Sequence, residues 1–225
     1  AALFKTQSLS GQHVVITAGP TRELIDPVRY VSNFSTGKMG FALAQAAVEA
    51  GAKVTLIAGP VDLPTPERVN RINVISANDM LEAVESVVSS TTLFIASAAV
   101  ADFRPTTPAE QKIKKTSDSE TMTLEMVKNP DILAAVASAD NPPFTVGFAA
   151  ETEDLIPHAR DKLVRKGIHM IVVNDVSRED IGFASNTNEV TVLFNEEPSR
   201  VNKEPSRDSI HIDKCDKHHL ARRLL

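Results

Sequence analysis

Apolar residues in this chain come in two spacings that alternate along its length. From His13 to Thr17 the run His-Val-Val-Ile-Thr is continuous and β-branched, and it passes at once into Ala18-Gly19-Pro20. A strand covered on both faces reads this way. From about Gly37 the spacing becomes helical: Met39, Phe41, Ala42, Leu43, Ala46, Ala47 and Ala50 fill a broad face, and Gly51 supplies a C-terminal stop. Lys53 to Ala58 is a second buried strand ending in Gly59-Pro60, which completes a β-α-β unit. The alternation continues with a strand over Arg71–Ile75, a helix over Asn78–Ser86 capped within Ala77-Asn78-Asp79, and a strand over Leu93–Ser97.

Beyond Asp102 the chain is polar as far as Glu120, with Pro105, Pro108 and the lysines of Lys112–Lys115. A structureless stretch of that length inside a compact domain points to a functional loop. Regular spacing then predicts a strand over Thr121–Met126, a helix over Pro130–Ser138 and a strand over Thr145–Ala149. A helix over Leu155–Lys166, a buried strand over His169–Asn174 and an edge strand over Glu189–Phe194 follow. Val201–Ile212 has no clear pattern, and Asp216–Leu225 reads as a terminal helix. Such alternation predicts an α/β fold, Rossmann-like, with a mostly parallel sheet and helices on both faces. Residues 1–10 are patternless and read as a linker; residues 11–225 read as one domain.

Composition narrows the functional class. With 225 residues, 42% hydrophobic and 24% charged, the chain can bury a full core. A net charge of -5 and a pI near 5.7 give no global basic field to draw it onto nucleic acid. Cys215 is the only cysteine, which rules out an internal disulfide or a multi-thiolate metal site and fits a reducing compartment. No apolar run approaches the roughly 20 residues of a membrane-spanning helix. The start, Ala1-Ala2-Leu3-Phe4-Lys5, is no signal peptide, so the expected location is cytoplasmic with no membrane partner.

A strand, a glycine turn and a helix invite a dinucleotide-binding reading, and the spacing rejects it. Gly19 and the turn Gly37-Lys38-Met39-Gly40 are separated by the insertion Pro20–Thr36, and the second strand ends without the acid that would hold a ribose. That insertion carries Thr21, Arg22, Asp26, Arg29, Tyr30, Ser32 and Asn33, more hydrogen-bonding chemistry than a connection needs. Ser-x-Gly-Lys-x-Gly at Ser35–Gly40 opens a helix and aims its N–H groups at whatever lies above, by preference an anion. Taken alone, the motif is equally an N-cap by Ser35 or Thr36 with a solvated Lys38. Asn33 can hold an acyl carbonyl or carboxylate, or serve a turn.

The small residues Ala96-Ser97-Ala98-Ala99 let a planar ligand lie against the backbone, and Asp102 after them can accept from a ribose, a base amine or a metal-bound water. A turn or capping role is its plain alternative. Alternate lysines in Lys112-Ile113-Lys114-Lys115 would face one side of an extended segment and clamp a polyphosphate; as an isolated run they are solvated surface. Lys162 and Lys166 share a helix face. Phe148, in Gly147-Phe148-Ala149-Ala150-Glu151, stacks on a ring or fills the core. Zinc-type spacing, a Gly-x-Ser-x-Gly elbow and a Walker-type loop are absent from the sequence.

Taken together, Ile16-Thr17-Ala18-Gly19-Pro20-Thr21-Arg22, Asp26 to Asn33, Ser35 to Gly40, Ala98 to Asp102, Lys112 to Lys115, Lys128-Asn129-Pro130-Asp131 and Gly147 to Glu151 resemble the bacterial phosphopantothenate–cysteine ligase family. The resemblance runs from about Val14 to Phe194. Members of that family usually form the C-terminal half of a bifunctional coenzyme A biosynthesis protein. The resemblance implies a homodimer with a shared active site, using CTP and Mg2+ to join 4′-phosphopantothenate to L-cysteine through an acyl-cytidylate. An N-terminal flavin-dependent decarboxylase domain would precede it. Asn33 would hold the acyl group and Arg29 would anchor phosphopantothenate. Ala96, Ser97, Ala98, Asp102, Pro130, Asp131, Ile132, Leu133, Phe148, Lys162 and Lys166 would contact the nucleotide, and Lys112 its phosphates. The resemblance names no metal ligands and assigns nothing beyond Val201.

Overall fold

The computed structural model of the chain describes residues 7–114, 121–151, 154–175, 185–195 and 209–225. Among them an eight-stranded sheet forms the middle layer. Its parallel part is, in spatial order, β5 (Val69–Asn73), β4 (Lys53–Ala58), β1 (His13–Ala18), β6 (Leu93–Ala96), β9 (Phe144–Glu151) and β10 (Met170–Asp175). The antiparallel strands β11 (Thr187–Phe194) and β12 (Ser209–Asp216) extend it beyond β10. The chain leaves β1 toward β4 and β5, then returns with β6 on the other side of β1. The loops after β1 and β6 therefore diverge at a topological switch point, where α/β sheets bind ligands.

Period-two alternation along the strands sorts the helices onto both faces. Val14, Ile16 and Ala18 pack with α1 (Lys38–Glu49) and α5 (Lys217–Leu224). Val15 faces the other way, onto α2 (Ala77–Val88) and α3 (Ile132–Ala137). Ile171 and Val173 meet α4 (Leu155–Arg165) on that second face. The fold class expected from the sequence is the one observed. Two small ribbons, β2 (Arg22–Leu24) with β3 (Tyr30–Ser32) and β7 (Phe103–Pro105) with β8 (Met126–Lys128), stand outside the main sheet.

Several expected elements change. The strand expected over Thr121–Met126 is β8, starting at Met126, because its partner β7 pairs Pro105 with Met126 and Phe103 with Lys128. The β2–β3 ribbon and β7 fall in segments that the hydrophobic pattern left as loop. The third parallel strand spans Val69–Asn73 rather than Arg71–Ile75, since Asn73 is already opposite Ala58 and Ile75 is exposed. Ser76 caps α2 in a reciprocal box with Asp79, so the helix begins at Ala77. Asp131 caps α3, which leaves Pro130 and Asp131 outside it. β11 is not an edge strand, because β12 pairs along its outer side. Of the patternless Val201–Ile212, residues 201–208 lie outside the described residues. Residues 7–10, read as linker, form a turn in which the Leu9 N–H donates to the Ala50 carbonyl at 3.0 Å.

Candidate functional site

The loops leaving β1 and β6 are stitched to one another. The Ala99 N–H donates to the Gly19 carbonyl at 2.9 Å, and the Ala101 N–H donates to Thr21 Oγ1 at 3.0 Å. The Ala98 N–H donates to Thr17 Oγ1 at 3.3 Å. Residues 97–100 thus lie as a fixed floor, and α1 comes down onto it. A Cβ on Gly40 would meet Ala18 Cβ at 2.5 Å and Ser97 Oγ at 3.3 Å, so only glycine permits that approach. Gly37, at φ 74°, is the N-cap and makes no side-chain cap. Ser35 Oγ accepts from the Gly37 N–H at 3.3 Å, outside the helix, so Ser35 does not take the capping role weighed from the sequence. Gly37 itself brings no side-chain hydrogen bond to the first turn of α1, and a helix N-terminus favours a negative group.

A cavity of about 430 Å³ opens between this helix terminus and the floor. Asn33, Ser97, Ala98 and Phe148 line it, four of the residues picked from the sequence. Asn33 Nδ2 donates to the Val100 carbonyl at 3.0 Å, which orients the amide and leaves it a second N–H. Ala96 ends β6 directly before the floor. The far wall brings residues that the sequence reading missed: Asn174, Asn188 and Lys217. Asn174 Oδ1 is buried and finds no hydrogen-bond partner among the described residues. Asn174 follows a buried apolar run at the carboxyl end of its strand, the same signal that singled out Asp102. Lys217 had no such signal, since the segment before it is unpatterned.

The remaining sequence-picked residues sit away from that cavity. Asp102 is exposed, and its carbonyl accepts from the Asn129 N–H at 2.8 Å. Asp131 Oδ1 accepts from the Ala134 N–H at 3.1 Å, and Asp131 Oδ2 pairs with Lys166 Nζ at 2.7 Å. Partial burial pushes the Asp131 carboxyl upward, but the Lys166 and Ala134 bonds outweigh it and hold it below the usual carboxylate range. The Ile132 side chain is buried against α2, which leaves its backbone to face a ligand, and Leu133 packs beside it partly buried. Pro130 precedes the cap, and Lys162 lies one turn before Lys166 on α4.

Arg29 is committed within the Pro20–Thr36 excursion. Its guanidinium pairs with Asp26 and donates to the Ile113 carbonyl at 2.9 Å. Asp26 Oδ2 also accepts from the Ile113 N–H at 3.1 Å, and Oδ1 accepts from the Val28 and Arg29 N–H groups. The Arg29 guanidinium, aided by those N–H groups against the cost of burial, holds the Asp26 carboxyl well below the usual range. Lys112, exposed, therefore belongs to a segment pinned at the very next residue. Lys115 lies outside the described residues. The buried Glu23 secures the excursion at its other end, accepting from the Ala77 N–H at 3.0 Å.

Among the described residues no group of three His, Cys, Asp or Glu side chains could hold a metal ion. The lysines in the cavity wall disfavour a bare cation, and among the described residues no carboxylate lines it.

Residues 9–225 match the family model described as DNA/pantothenate metabolism flavoprotein C-terminal domain. The chain is 59% identical over 194 residues to the coenzyme A biosynthesis bifunctional protein CoaBC of Vibrio cholerae, covering 86% of this chain and 49% of the relative. It is 50% identical over 184 residues to the protein of the same name from Escherichia coli, covering 81% of this chain and 45% of the relative. The chain thus spans about half the length of the curated relatives it matches. Among solved structures, the C-terminal domain of a CoaBC aligns with TM-score 0.77 at 36% identity, covering 97% of this chain and 94% of that one. A Cab2 mutant in complex with phosphopantothenate-cysteine shares the fold, with TM-score 0.73 at 17% identity over 95% of this chain and 84% of that one.

Proposed function

Because this chain belongs to the family of the DNA/pantothenate metabolism flavoprotein C-terminal domain, we propose that it is the ligase domain joining 4′-phosphopantothenate to L-cysteine with CTP, in coenzyme A biosynthesis. The observation that carries this reading is the cavity at the switch point, where the N-terminus of α1, lysines and the oriented amide of Asn33 converge. In the first half-reaction a carboxylate oxygen of phosphopantothenate attacks the α-phosphorus of CTP, and the bond to pyrophosphate breaks. In the second, the cysteine amine attacks the acyl carbon, the bond to CMP breaks, and the amine loses a proton as the amide forms. The chain's part is to place the reactants and to supply fixed positive ends of dipoles and charges where negative charge develops. Asn33 offers its free N–H to the acyl oxygen, Phe148 a ring face at the cavity wall, and Lys112 a cation for the phosphates. In this reading Mg2+ enters as part of the nucleotide substrate and neutralises its phosphates.

Leu24, Val28, Tyr30 and Phe34 are exposed along the excursion, Phe34 to 90%, and a monomer gains nothing by exposing them together. We assign that surface to a C2 homodimer in which the excursion, with Arg29, completes the neighbouring site. Sedimentation showing a fully active monomer would remove this part of the reading. A cytoplasmic location and a preceding flavin-dependent decarboxylase domain go with it, in keeping with relatives named bifunctional and twice as long.

The decisive assay supplies CTP or ATP and follows nucleoside monophosphate and pyrophosphate. Release of CMP that requires both phosphopantothenate and cysteine, with ATP a poor substitute, is the expected result. Release that ignores cysteine, or no turnover with any triphosphate, would defeat the ligase assignment.

A further inference from the structure

A second cavity, of about 390 Å³, lies on the face of the sheet that α1 and α5 cover. Leu43 of α1, Ile95 of β6, Val146 and Phe148 of β9, Val172 of β10 and Leu224 of α5 line it. Phe144, two residues before Val146 and so on the same side of β9, lines it too, and is 44% exposed. An apolar cavity of this kind, open to water at a half-exposed ring, is stabilised by whatever apolar group covers it. Phe148 also lines the cavity at the switch point, so the two cavities share a wall.

The chain itself arrives at this cavity, because Ser8 and Leu9 form part of its lining. The turn that carries them is fixed. The Leu9 N–H donates to the Ala50 carbonyl and the Ser10 N–H to the Gln7 carbonyl, each at 3.0 Å, and Leu9 packs against the core. Residues 1–6, Ala-Ala-Leu-Phe-Lys-Thr, lie outside the described residues, and Leu3 and Phe4 are the large apolar residues among them. Three residues of extended chain span roughly 10 Å, which puts Phe4 within reach of the cavity from Gln7. We propose that residues 1–6 dock on this face, with the Phe4 ring as the group that fills the cavity. A tether this short gives an effective concentration on the order of millimolar, so the chain's own ring competes well against any free apolar partner.

The inference stands on the cavity and on where the turn after Gln7 is held, and it does not depend on the ligase reading. Its consequence is positional. A domain preceding residue 1, as proposed above, would meet this face of the sheet at a set place instead of hanging on a free tether.

The chain contains no tryptophan, so Phe4→Trp adds a single indole that reports its own surroundings. Its emission should be blue-shifted and shielded from acrylamide, and its ring protons should show nuclear Overhauser contacts to the methyl groups of Val146, Val172 and Leu224. A shielded indole without those contacts overturns the proposal, because the ring then sits elsewhere. The shielding should survive a roughly hundredfold dilution, since docking within one chain does not depend on concentration. Shielding lost on dilution gives the cavity to the segment of a second copy and overturns docking within the chain. Where the larger indole is found exposed, Phe4→Ser decides. Removing a seated ring should lower Tm by roughly 3 to 6 °C in a chain of this size, while Lys5→Ser leaves Tm unchanged. An unchanged Tm in Phe4→Ser overturns the proposal.

Discussion

Basic side chains gather in two places near the carboxyl end of the sheet, and the two are held in opposite ways. On the α1 and α5 side, Lys38 and Lys217 come from the ends of two helices, one of them almost wholly buried, and Asn186 bridges them. On the other side, Lys112 and Lys114 lie two residues apart, exposed, on a segment tied down through the backbone of Ile113 between them. The first arrangement is fixed in place by the side chain and backbone of Asn186. The second keeps its charges in water, where they cost little. On the ligase reading proposed above, a preformed side of fixed charges facing a clamp of hydrated ones would bind a polyphosphate and still release pyrophosphate.

The sharpest break in the comparison is on the preformed side. Asn33→Asp removes the donor to Val100 and sets a carboxylate against that carbonyl oxygen. It also puts an anion where negative charge develops on the acyl oxygen, and losing one such donor costs roughly 10² to 10³ in rate. Attack by cysteine should suffer more than activation, so enzyme-bound acyl-cytidylate should accumulate with CTP and phosphopantothenate. Rapid-quench analysis showing equal slowing of both steps would reduce Asn33 to a structural part.

On the clamp side, Asp26→Ala should have the next largest effect although Asp26 touches no ligand. Its carboxylate gathers the Arg29 guanidinium and the Ile113 N–H. Without it the segment with Lys112 is free to shift, and a misplacement of about 1 Å can cost on the order of 10²-fold. The loss should appear in kcat for pyrophosphate release with the CMP affinity kept. The folded-state carboxyl is held low, so this contribution to stability is present above the ordinary Asp range near 4 and fades only as pH falls through the lower folded-state value. Asp26→Ala should therefore show a shallower loss of stability on acidification than the unaltered chain. A smaller step follows for Lys112→Gln. Its exposure discounts the charge, and a loss of about 10- to 100-fold in acyl-cytidylate formation is expected. Unchanged pyrophosphate release would make the run ordinary surface.

The same contrast explains what could be read from the chain before its structure. The basic run stood out because Lys112, Lys114 and Lys115 lie close together in a polar segment. Floor and helix opening were visible because Ala96–Asp102 and Ser35–Gly40 are local patterns. The rear wall was not. Lys38, Asn186 and Lys217 are brought together by β11 and β12 pairing, and the antiparallel register of an outer hairpin leaves no local signature. Strands β2, β3 and β7 escaped for a related reason: three-residue strands have too few positions to show a period, and their partners lie across a turn or a loop. Nothing in the sequence marked Glu23 or Asp26 as buried, since only the fold reveals the N–H groups they satisfy.

The smallest effect tests where the clamp side ends. Asp131 and Lys166 were both read as nucleotide contacts, yet here they bond to each other at 2.7 Å, with the Asp131 side chain 48% exposed and that of Lys166 25% exposed. A pair that open to water should couple by no more than about 1 kcal/mol. A double-mutant cycle with Asp131→Asn and Lys166→Gln, followed by denaturant unfolding, measures that coupling. Repeating it with saturating CTP separates the two roles. If Lys166 turns to the phosphates when nucleotide binds, the coupling should vanish in the saturated protein, and Lys166→Gln alone should weaken CTP binding. Asp131 would keep its bond from the Ala134 N–H in either state, so Asp131→Asn should leave CTP affinity nearly unchanged. Coupling that persists undiminished with CTP bound would make the pair a strut between α3 and α4, and would place the border of the nucleotide site short of Lys166.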